Sequence, residues 1–313
     1  MASARRIYRL QLLLGLLGVA ATALGLVVAL TRVSFELPSL DAVADACRRT
    51  GLTDLSVSSV LVLLLSSLSL AVLALAARSA LAQLLSRRRF LRQLRVVGRA
   101  RVGDYEALII EDGRPQAFCT GLLRPRIYVS RGTLDLLDDG ELCAVVAHEA
   151  HHARRRDPLR ILIARALGDA LFFLPVLGRL ADRYAALAEL AADDAAVQHS
   201  GTRQPLAAAL LAFDQAPHAA VVGIAPERVD HLFGERPRWE VPVALLAGGA
   251  VTIAGLLAVV LRTADATGQA SVKLPLLLAQ ACMVGMTVLP MLVGAAALLA
   301  SKRALAHRTE GRP

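Results

Sequence analysis

The sequence predicts a mostly α membrane protein, with four transmembrane helices around a cytoplasmic α+β domain that contains a small β-sheet. Hydrophobic residues make up 56% of the 313-residue chain and aromatic residues only 4%. Soluble domains of this length are less apolar. Long apolar stretches without charge alternate with basic segments, and short β-rich runs occur only in the middle of the chain. These observations predict the membrane helices and the sheet respectively.

Four stretches are long enough to cross a bilayer, which needs roughly 20 apolar residues. They contain no Lys, Arg, Asp or Glu, and they comprise residues 10–30, 57–77, 241–261 and 274–300. The first could instead be a secretory signal peptide, because arginines precede it, but it is long and lacks a small-residue cleavage site. The stretches predict an N-terminal transmembrane pair within residues 1–77 and a C-terminal pair within residues 241–300.

The net charge of +9 comes from arginines beside these stretches. Basic residues concentrate before the first span, after the second and after the fourth. Because cytoplasmic loops carry the excess of Lys and Arg, both termini, residues 78–240 and the basic tail 301–313 are expected in the cytoplasm. Topology therefore explains the charge, and we predict no direct nucleic-acid binding. The four cysteines form no C-x-x-C pair, which argues against a disulfide framework or a thiolate metal site.

The middle section, residues 78–240, begins with β-rich runs separated by Gly and Pro. The predicted strands are residues 107–110, 117–120 and 126–130. Helical spacing follows, with Asp138 as N-cap and Glu141 three residues later, as in a capping box. His148 therefore lies in the middle of a helix.

Residues 157–180 are apolar enough to be mistaken for a fifth span. Charged residues interrupt them, and Gly168 and Pro175 break the helix. We interpret this segment as an amphipathic or hairpin segment against the membrane surface rather than a span. A helix over residues 180–200 follows.

The segment "HEAHH" has the H-E-x-x-H spacing. Residues at i and i+4 share a helix face, so His148 and His152 can bind one metal ion, with Glu149 beside it as general base. His151 breaks this spacing and is expected to be a neighbour. The simpler alternative is a solvated polar helix face.

A catalytic zinc site needs a third protein ligand. Glu189 on the following helix is the candidate, and Asp193, four residues later, can orient a ligand histidine through its other ring nitrogen. The alternative for both is an exposed helix face, which is the interpretation we give to Asp194.

These segments occur in the order "HEAHH", "RRRDP" and "ELAADDAAV", preceded by "AFCTGLLRPRIYVSRGTLDLLDDGELCAVVAHE". In this the chain resembles the integral-membrane gluzincin peptidases of the BlaR/MecR-type antirepressor family, which are related to HtpX-type and CAAX prenyl proteases. The likeness covers residues 105–240.

The resemblance implies a zincin-like metallopeptidase domain with one Zn²⁺ per chain. It assigns zinc binding to His148, His152 and Glu189, and the roles of general base and then acid to Glu149. It also implies supporting roles for Asp193 and Asp157. Arg228 is a possible oxyanion stabiliser.

The predicted function is that of a zinc endopeptidase at the cytoplasmic face of the membrane. Its peptide or protein substrate should add as a strand to the edge strand Ala117, Phe118, Cys119 and Thr120. Both a DNA-binding repressor, cleaved in regulation, and misfolded membrane proteins are possible substrates. The alternative is a non-catalytic, zinc-stabilised membrane sensor or scaffold, which an intact Glu149 disfavours.

Overall fold

The computed structural model describes residues 2–31, 33–34, 39, 41, 57–216, 225–235, 243–265 and 272–273, which are mostly helical. The helices are α1 (Ala2–Leu30), α2 (Val57–Gln93), α3 (Arg131–Leu136), α4 (Asp139–Arg155), α5 (Asp157–Ala170), α6 (Pro175–Ser200), α7 (Gln204–Gln215), α8 (Pro226–Leu232) and α9 (Val243–Asp265). The strands are β1 (Val33–Ser34), β2 (Val96–Val102), β3 (Tyr105–Ile110), β4 (Ala117–Thr120), β5 (Arg126–Ser130) and β6 (Val272–Lys273). The chain separates into two compact units, one with Leu70–Gly255 and the residues up to Ala21, the other with Thr22–Ser69 and the residues from Leu256 onwards.

Three described helices are long and apolar enough to cross a membrane: Ala4–Leu30, Val60–Gln93 and Val243–Asp265. They contain or overlap three of the four predicted spans, and the fourth, residues 274–300, lies outside the described residues. The helix that contains the second predicted span, residues 57–77, continues beyond the apolar stretch to Gln93. The apolar stretch ends where the arginines begin. Because Arg, Leu and Gln are good helix formers, the backbone remains helical beyond it.

The first unit contains a four-stranded mixed sheet in the order β2-β3-β5-β4. The predicted runs 117–120 and 126–130 are β4 and β5, while β3 begins two residues before the predicted 107. β3 and β5 are parallel, and the other two pairs are antiparallel. The sequence analysis missed β2, whose first four residues are all exposed, so that polar and apolar side chains alternate only over its last four residues, 99–102. β4 lies at one edge of the sheet, as predicted for a peptide-binding strand.

Aromatic contacts and a tight turn fix the position of β4. The Phe118 ring stacks on Tyr128 of β5 with ring centroids 5.4 Å apart, and Phe90 of α2 lies 5.1 Å from Phe118. Gly121 follows the strand with φ +132°, and a Cβ there would lie 2.4 Å from the Arg124 carbonyl oxygen. Only glycine adopts this conformation without strain, so the turn sets the register of β4 against β5.

Helix α4 packs one face on the sheet. Its N-terminus has the predicted capping box: Asp138 accepts from the Glu141 N–H at 2.7 Å, and Glu141 accepts from the Asp138 N–H at 3.1 Å. Val146 is fully buried with Ile109 and Val129 of the sheet. Burial of each such aliphatic side chain contributes about 1.5–3 kcal/mol. The opposite face of the helix, which carries His148, packs toward α6.

Residues 157–200 form a helical hairpin, α5 and α6, and the predicted break before Pro175 is confirmed. The predicted break at Gly168 is wrong, because Gly168 lies within α5, and the second helix begins at Pro175 rather than at residue 180. Its turn packs against α1, where a Cβ at Gly18 would meet Leu171 at 2.9 Å. The buried Gln11 amide of α1 donates to the carbonyl oxygens of Ala164 and Leu177, one on each arm. The hairpin is therefore held to α1 by both apolar packing and hydrogen bonds.

The second unit contains the remaining parts of the apolar helices α1, α2 and α9. The Ser69 hydroxyl of α2 donates to the Thr22 carbonyl oxygen of α1 at 2.8 Å. Gly25 lets α1 approach Leu65 and Val260 within van der Waals distance. Small residues at such crossings are typical of helix packing in membranes. β1 and β6 form a short parallel pair in this unit.

Candidate metal centre

Three side chains from two helices bring their donor atoms together in the first unit. The Nε2 atoms of His148 and His152 on α4 lie 3.2 Å apart. The two Glu189 carboxylate oxygens on α6 lie 3.5 Å from His148 Nε2 and 3.4 Å from His152 Nε2. These residues form a group able to hold a metal ion.

The three separations fit one zinc ion. Zinc bonds of about 2.0–2.1 Å in a tetrahedron separate neighbouring ligand atoms by about 3.3 Å. The measured 3.2, 3.4 and 3.5 Å lie close to that value. Two imidazoles and one carboxylate, with a fourth position left for water or substrate, are the donor set of catalytic zinc sites rather than structural ones. The residues present therefore fit the ion that the sequence predicts, although their role as ligands remains a prediction.

Each histidine is oriented by a buried carboxylate. Asp193, whose side chain is fully buried, lies 2.9 Å from His148 Nδ1, and Asp157 lies 3.0 Å from His152 Nδ1. A carboxylate at Nδ1 holds the proton there and leaves the Nε2 lone pair free for a metal. Both carboxylates therefore lie beside the histidines that they were expected to orient, and their supporting roles stay a prediction.

A turn of one residue brings Asp157 back to His152. Arg156 follows α4 in the left-handed region, with φ 54° and ψ 40°, and α5 begins immediately after it with Asp157. A non-glycine residue in this conformation costs roughly 1 kcal/mol. Pro158 in the first turn of α5 suits a helix start, since the missing N–H has no partner there. The backbone strain is thus located where the chain positions a carboxylate beside the candidate ligand.

Arg228 binds the supporting carboxylate on the other side. Its Nη2 and Nε donate to the two oxygens of Asp193 at 2.6 and 2.9 Å, and its Nη1 lies 3.5 Å from Glu189. The Arg228 guanidinium therefore contacts two carboxylates of the site. This contact explains a role in orienting Asp193, and a role of Arg228 toward an oxyanion stays a prediction.

Glu149 lines a cleft of about 410 Å³ beside the three donors. Burial raises the pKa of its carboxyl, whereas the neighbouring His148 and His152 lower it. A carboxyl with a raised pKa both accepts and returns a proton more readily near neutral pH. The position and pKa of Glu149 therefore suit general acid–base chemistry.

The site attracts positive charge. Burial opposes protonation of His152, but its hydrogen bonds with Asp157 and Glu189 raise its pKa to about 10. Hydrogen bonds with the same histidines hold the pKa of Glu189 well below its usual range, against the effect of burial. Excess carboxylate around two imidazoles favours a cation, which a divalent metal ion would supply more strongly than protons do.

Two nearby groups are less suited to metal binding. His151 is buried outside the donor group, and burial followed by Arg155 lowers its pKa to about 4. Burial, then Glu149 and Asp157, raise the pKa of the Cys119 thiol to about 12, so it remains protonated. Cys143, the other cysteine in the described residues, is also free. None of the observations assigns either thiol a chemical role.

Sequence reasoning missed several residues of the site. Tyr184 is fully buried and donates to Asp157 at 2.8 Å. Asp194, interpreted as an exposed helix residue, lies 2.8 Å from His231 Nε2, and Arg183 donates to Glu227 at 2.6 Å. The last two contacts attach α8 to α6, which places Arg228. Only the helical spacing of Tyr184, Asp194 and Arg183 on α6 was visible in the sequence, and no signal indicated their partners.

Comparisons with known proteins agree with this geometry. Residues 82–213 match the model of peptidase family M48. The chain is 34% identical over 79 residues to the protease HtpX homolog of Acidiphilium cryptum, covering 25% of this chain and 28% of that protein. It is 36% identical over 87 residues to the homolog of Desulforapulum autotrophicum, covering 27% and 28%, and 39% identical over 62 residues to that of Methanopyrus kandleri, covering 20% of each.

The matched segment contains all three candidate ligands and the edge strand, and it lies outside most of the apolar helices. The chain spans less than a third of the length of these relatives. Residues 82–213 are thus similar to peptidase family M48, and three described helices are long and apolar enough to cross a membrane. The matches do not distinguish an antirepressor of the BlaR/MecR type from its relatives.

Proposed function

We propose that this protein is a membrane-embedded, zinc-dependent endopeptidase that hydrolyses peptide bonds at the cytoplasmic face. The observation that carries the proposal is the convergence of His148, His152 and Glu189 beside Glu149 in an open cleft. A structural zinc site would close the fourth position with protein and would not need a base beside it.

In the proposed mechanism, a zinc ion held by the three donors would polarise the scissile carbonyl and acidify a water molecule. Glu149 takes the proton from the attacking water and then gives it to the leaving nitrogen. Asp193 and Asp157 keep His148 and His152 in the tautomer with free Nε2 atoms. β4, at the sheet edge, binds the substrate backbone in an extended conformation, which positions the scissile bond along the cleft.

Two classes of protein are candidate substrates. The relatives named above are protease HtpX homologs, and a role for this chain in the removal of misfolded membrane proteins agrees with its apolar helices. Cleavage of a DNA-binding repressor is the second candidate, favoured by the resemblance of the sequence to antirepressor peptidases. A zinc-stabilised sensor or scaffold without activity is the alternative to both.

Purified protein in detergent should cleave an unfolded test protein such as casein, and a chelator should abolish the cleavage. Activity should return with added zinc, because the donor set is complete without any other group. An inhibitor of serine proteases is the matched control and should have no effect. Cleavage that continues after the zinc has been removed and quantified as absent would contradict the metallopeptidase proposal.

The proposed orientation places both termini and residues 78–240 in the cytoplasm, with 31–56 outside. On a background without native cysteines, a thiol probe that cannot cross the membrane should label a cysteine introduced within residues 31–56 of intact cells. It should label a cysteine at the exposed Arg203 only after permeabilisation. Labelling of position 203 in intact cells would place the catalytic section outside and exclude a cytoplasmic repressor as substrate.

A further inference from the structure

The cleft beside Glu149 is also lined by two arginines that the proposed chemistry does not use. Arg87 comes from α2 and Arg165 from α5, so the two side chains line the cleft from different helices. Arg87 is half-buried, whereas Arg165 is exposed. The positive-inside rule accounts for basic residues near the membrane. It does not explain why two arginines from different helices line the same cleft.

The acidic groups of this cleft do not neutralise them. Asp157 is bound by His152 and Tyr184, and Glu189 lies between the two ligand histidines. In the part of the chain that the structure describes, neither arginine forms an ion pair. A half-buried guanidinium without a counter-ion is unfavourable until an anion arrives. Within the described residues the two guanidinium groups therefore have no carboxylate partner of their own, even though the donor group in the same cleft is rich in carboxylates.

A hydrogen bond fixes where this charge lies along the substrate. Arg87 Nη2 donates to the Thr120 hydroxyl at 2.7 Å, and Thr120 is the last residue of β4. The guanidinium is thus held at one end of the edge strand by a neutral acceptor, and within the described residues no carboxylate binds its other donors. A peptide that adds to β4 passes this end as it leaves the site.

We propose that Arg87 and Arg165 form a subsite for a substrate carboxylate close to the scissile bond. The subsite rests on the proposed peptidase function and makes it selective for acidic peptides. Guanidinium groups bind carboxylates through paired, charge-assisted hydrogen bonds, which suits an Asp or Glu side chain. A free C-terminal carboxylate offers the same chemistry from a second source, and the test separates the two.

The test uses zinc-loaded full-length protein and quenched fluorescent peptides with blocked termini, in which Asp, Asn or Lys occupies each position beside the cleaved bond in turn. At one position, wild type should prefer Asp to Asn by about ten-fold in kcat/KM, as expected for a hydrogen bond to a charged group. Arg87→Gln and Arg165→Gln should each remove most of this preference, because they lower kcat/KM more for the Asp peptide than for the Asn peptide. Arg88→Gln, an exposed neighbour on α2, is the matched control and should keep the preference.

A further peptide, with Asn at every tested position and a free C-terminus, tests the terminal carboxylate. If only this peptide is cleaved faster than its blocked counterpart, and Asp gives no advantage over Asn, the subsite binds the terminal carboxylate. Arg165→Glu should favour the Lys peptide, and since Arg165 is exposed, this variant carries the test if Arg87→Gln does not fold.

Active wild type that cleaves Asp and Asn peptides at the same rate, with blocked and free termini, overturns the subsite but leaves the peptidase proposal intact. Equal losses on both peptides in both Gln variants also overturn it, because they indicate a structural role. Zinc-loaded wild type that cleaves no peptide and no casein overturns the function itself.

Discussion

Replacement of Glu149 by Gln should lower peptide cleavage by about 10²- to 10⁴-fold, the usual contribution of a positioned general base. The amide has nearly the same shape as the carboxyl but cannot take a proton from water. Because Glu149 is not one of the three donors, the variant should still bind zinc and elute as the folded protein. The measurements are the rate of cleavage and the zinc content of the same sample. Glu106→Gln, an exposed substitution on β3, is the matched control and should keep full activity.

The same variant can identify the substrate. An enzyme that binds but scarcely cleaves should accumulate its substrate, so crosslinking in cells should enrich either a DNA-binding protein or a range of membrane proteins. The first result would support regulatory proteolysis, and the second would support quality control. Equal cleavage of the captured protein by wild type and Glu149→Gln would contradict the enzyme proposal and favour the scaffold.

The parts of the fold that were predictable are those encoded locally. The capping box at Asp138, the break before Pro175 and the runs that became β4 and β5 each depend on a few neighbouring residues. β2 was missed because it directly follows an arginine-rich helix and because its strand conformation depends on pairing with β3. The continuation of α2 beyond residue 77 was missed because hydropathy reports where a helix leaves an apolar environment, not where the helix ends.

The site shows the same division. Helical spacing was enough to suggest His148, His152, Glu189 and Asp193, since each pair lies four residues apart on its own helix. Asp157 could be named only through the resemblance, because its contact with His152 requires the left-handed turn at Arg156. Contacts between distant elements, such as Tyr184 with Asp157 and Arg87 with Thr120, leave no periodic trace in the sequence.

Purified protein should contain one zinc ion per chain, and His148→Ala, His152→Ala and Glu189→Ala should each lose it. Each of these variants removes one of the three donor atoms that converge in the site, and two donors hold zinc weakly. His151→Ala should retain the metal, although its ring centroid is only 6.4 Å from that of His152. Asp193→Asn, which keeps the size of the carboxylate, should lower zinc affinity by about 10- to 100-fold without abolishing binding.

The comparison of His151→Ala with His152→Ala is decisive because the two substitutions remove the same side chain from adjacent positions of one helix. Zinc is measured by elemental analysis, and the thermal unfolding of each variant in detergent separates loss of the metal from loss of the fold. A His151→Ala protein without zinc beside a His152→Ala protein with zinc would place the ligands on a different face of α4. The distances of 3.2, 3.4 and 3.5 Å among His148, His152 and Glu189 would then have no functional meaning, and the cleft at Glu149 would no longer be the site of cleavage.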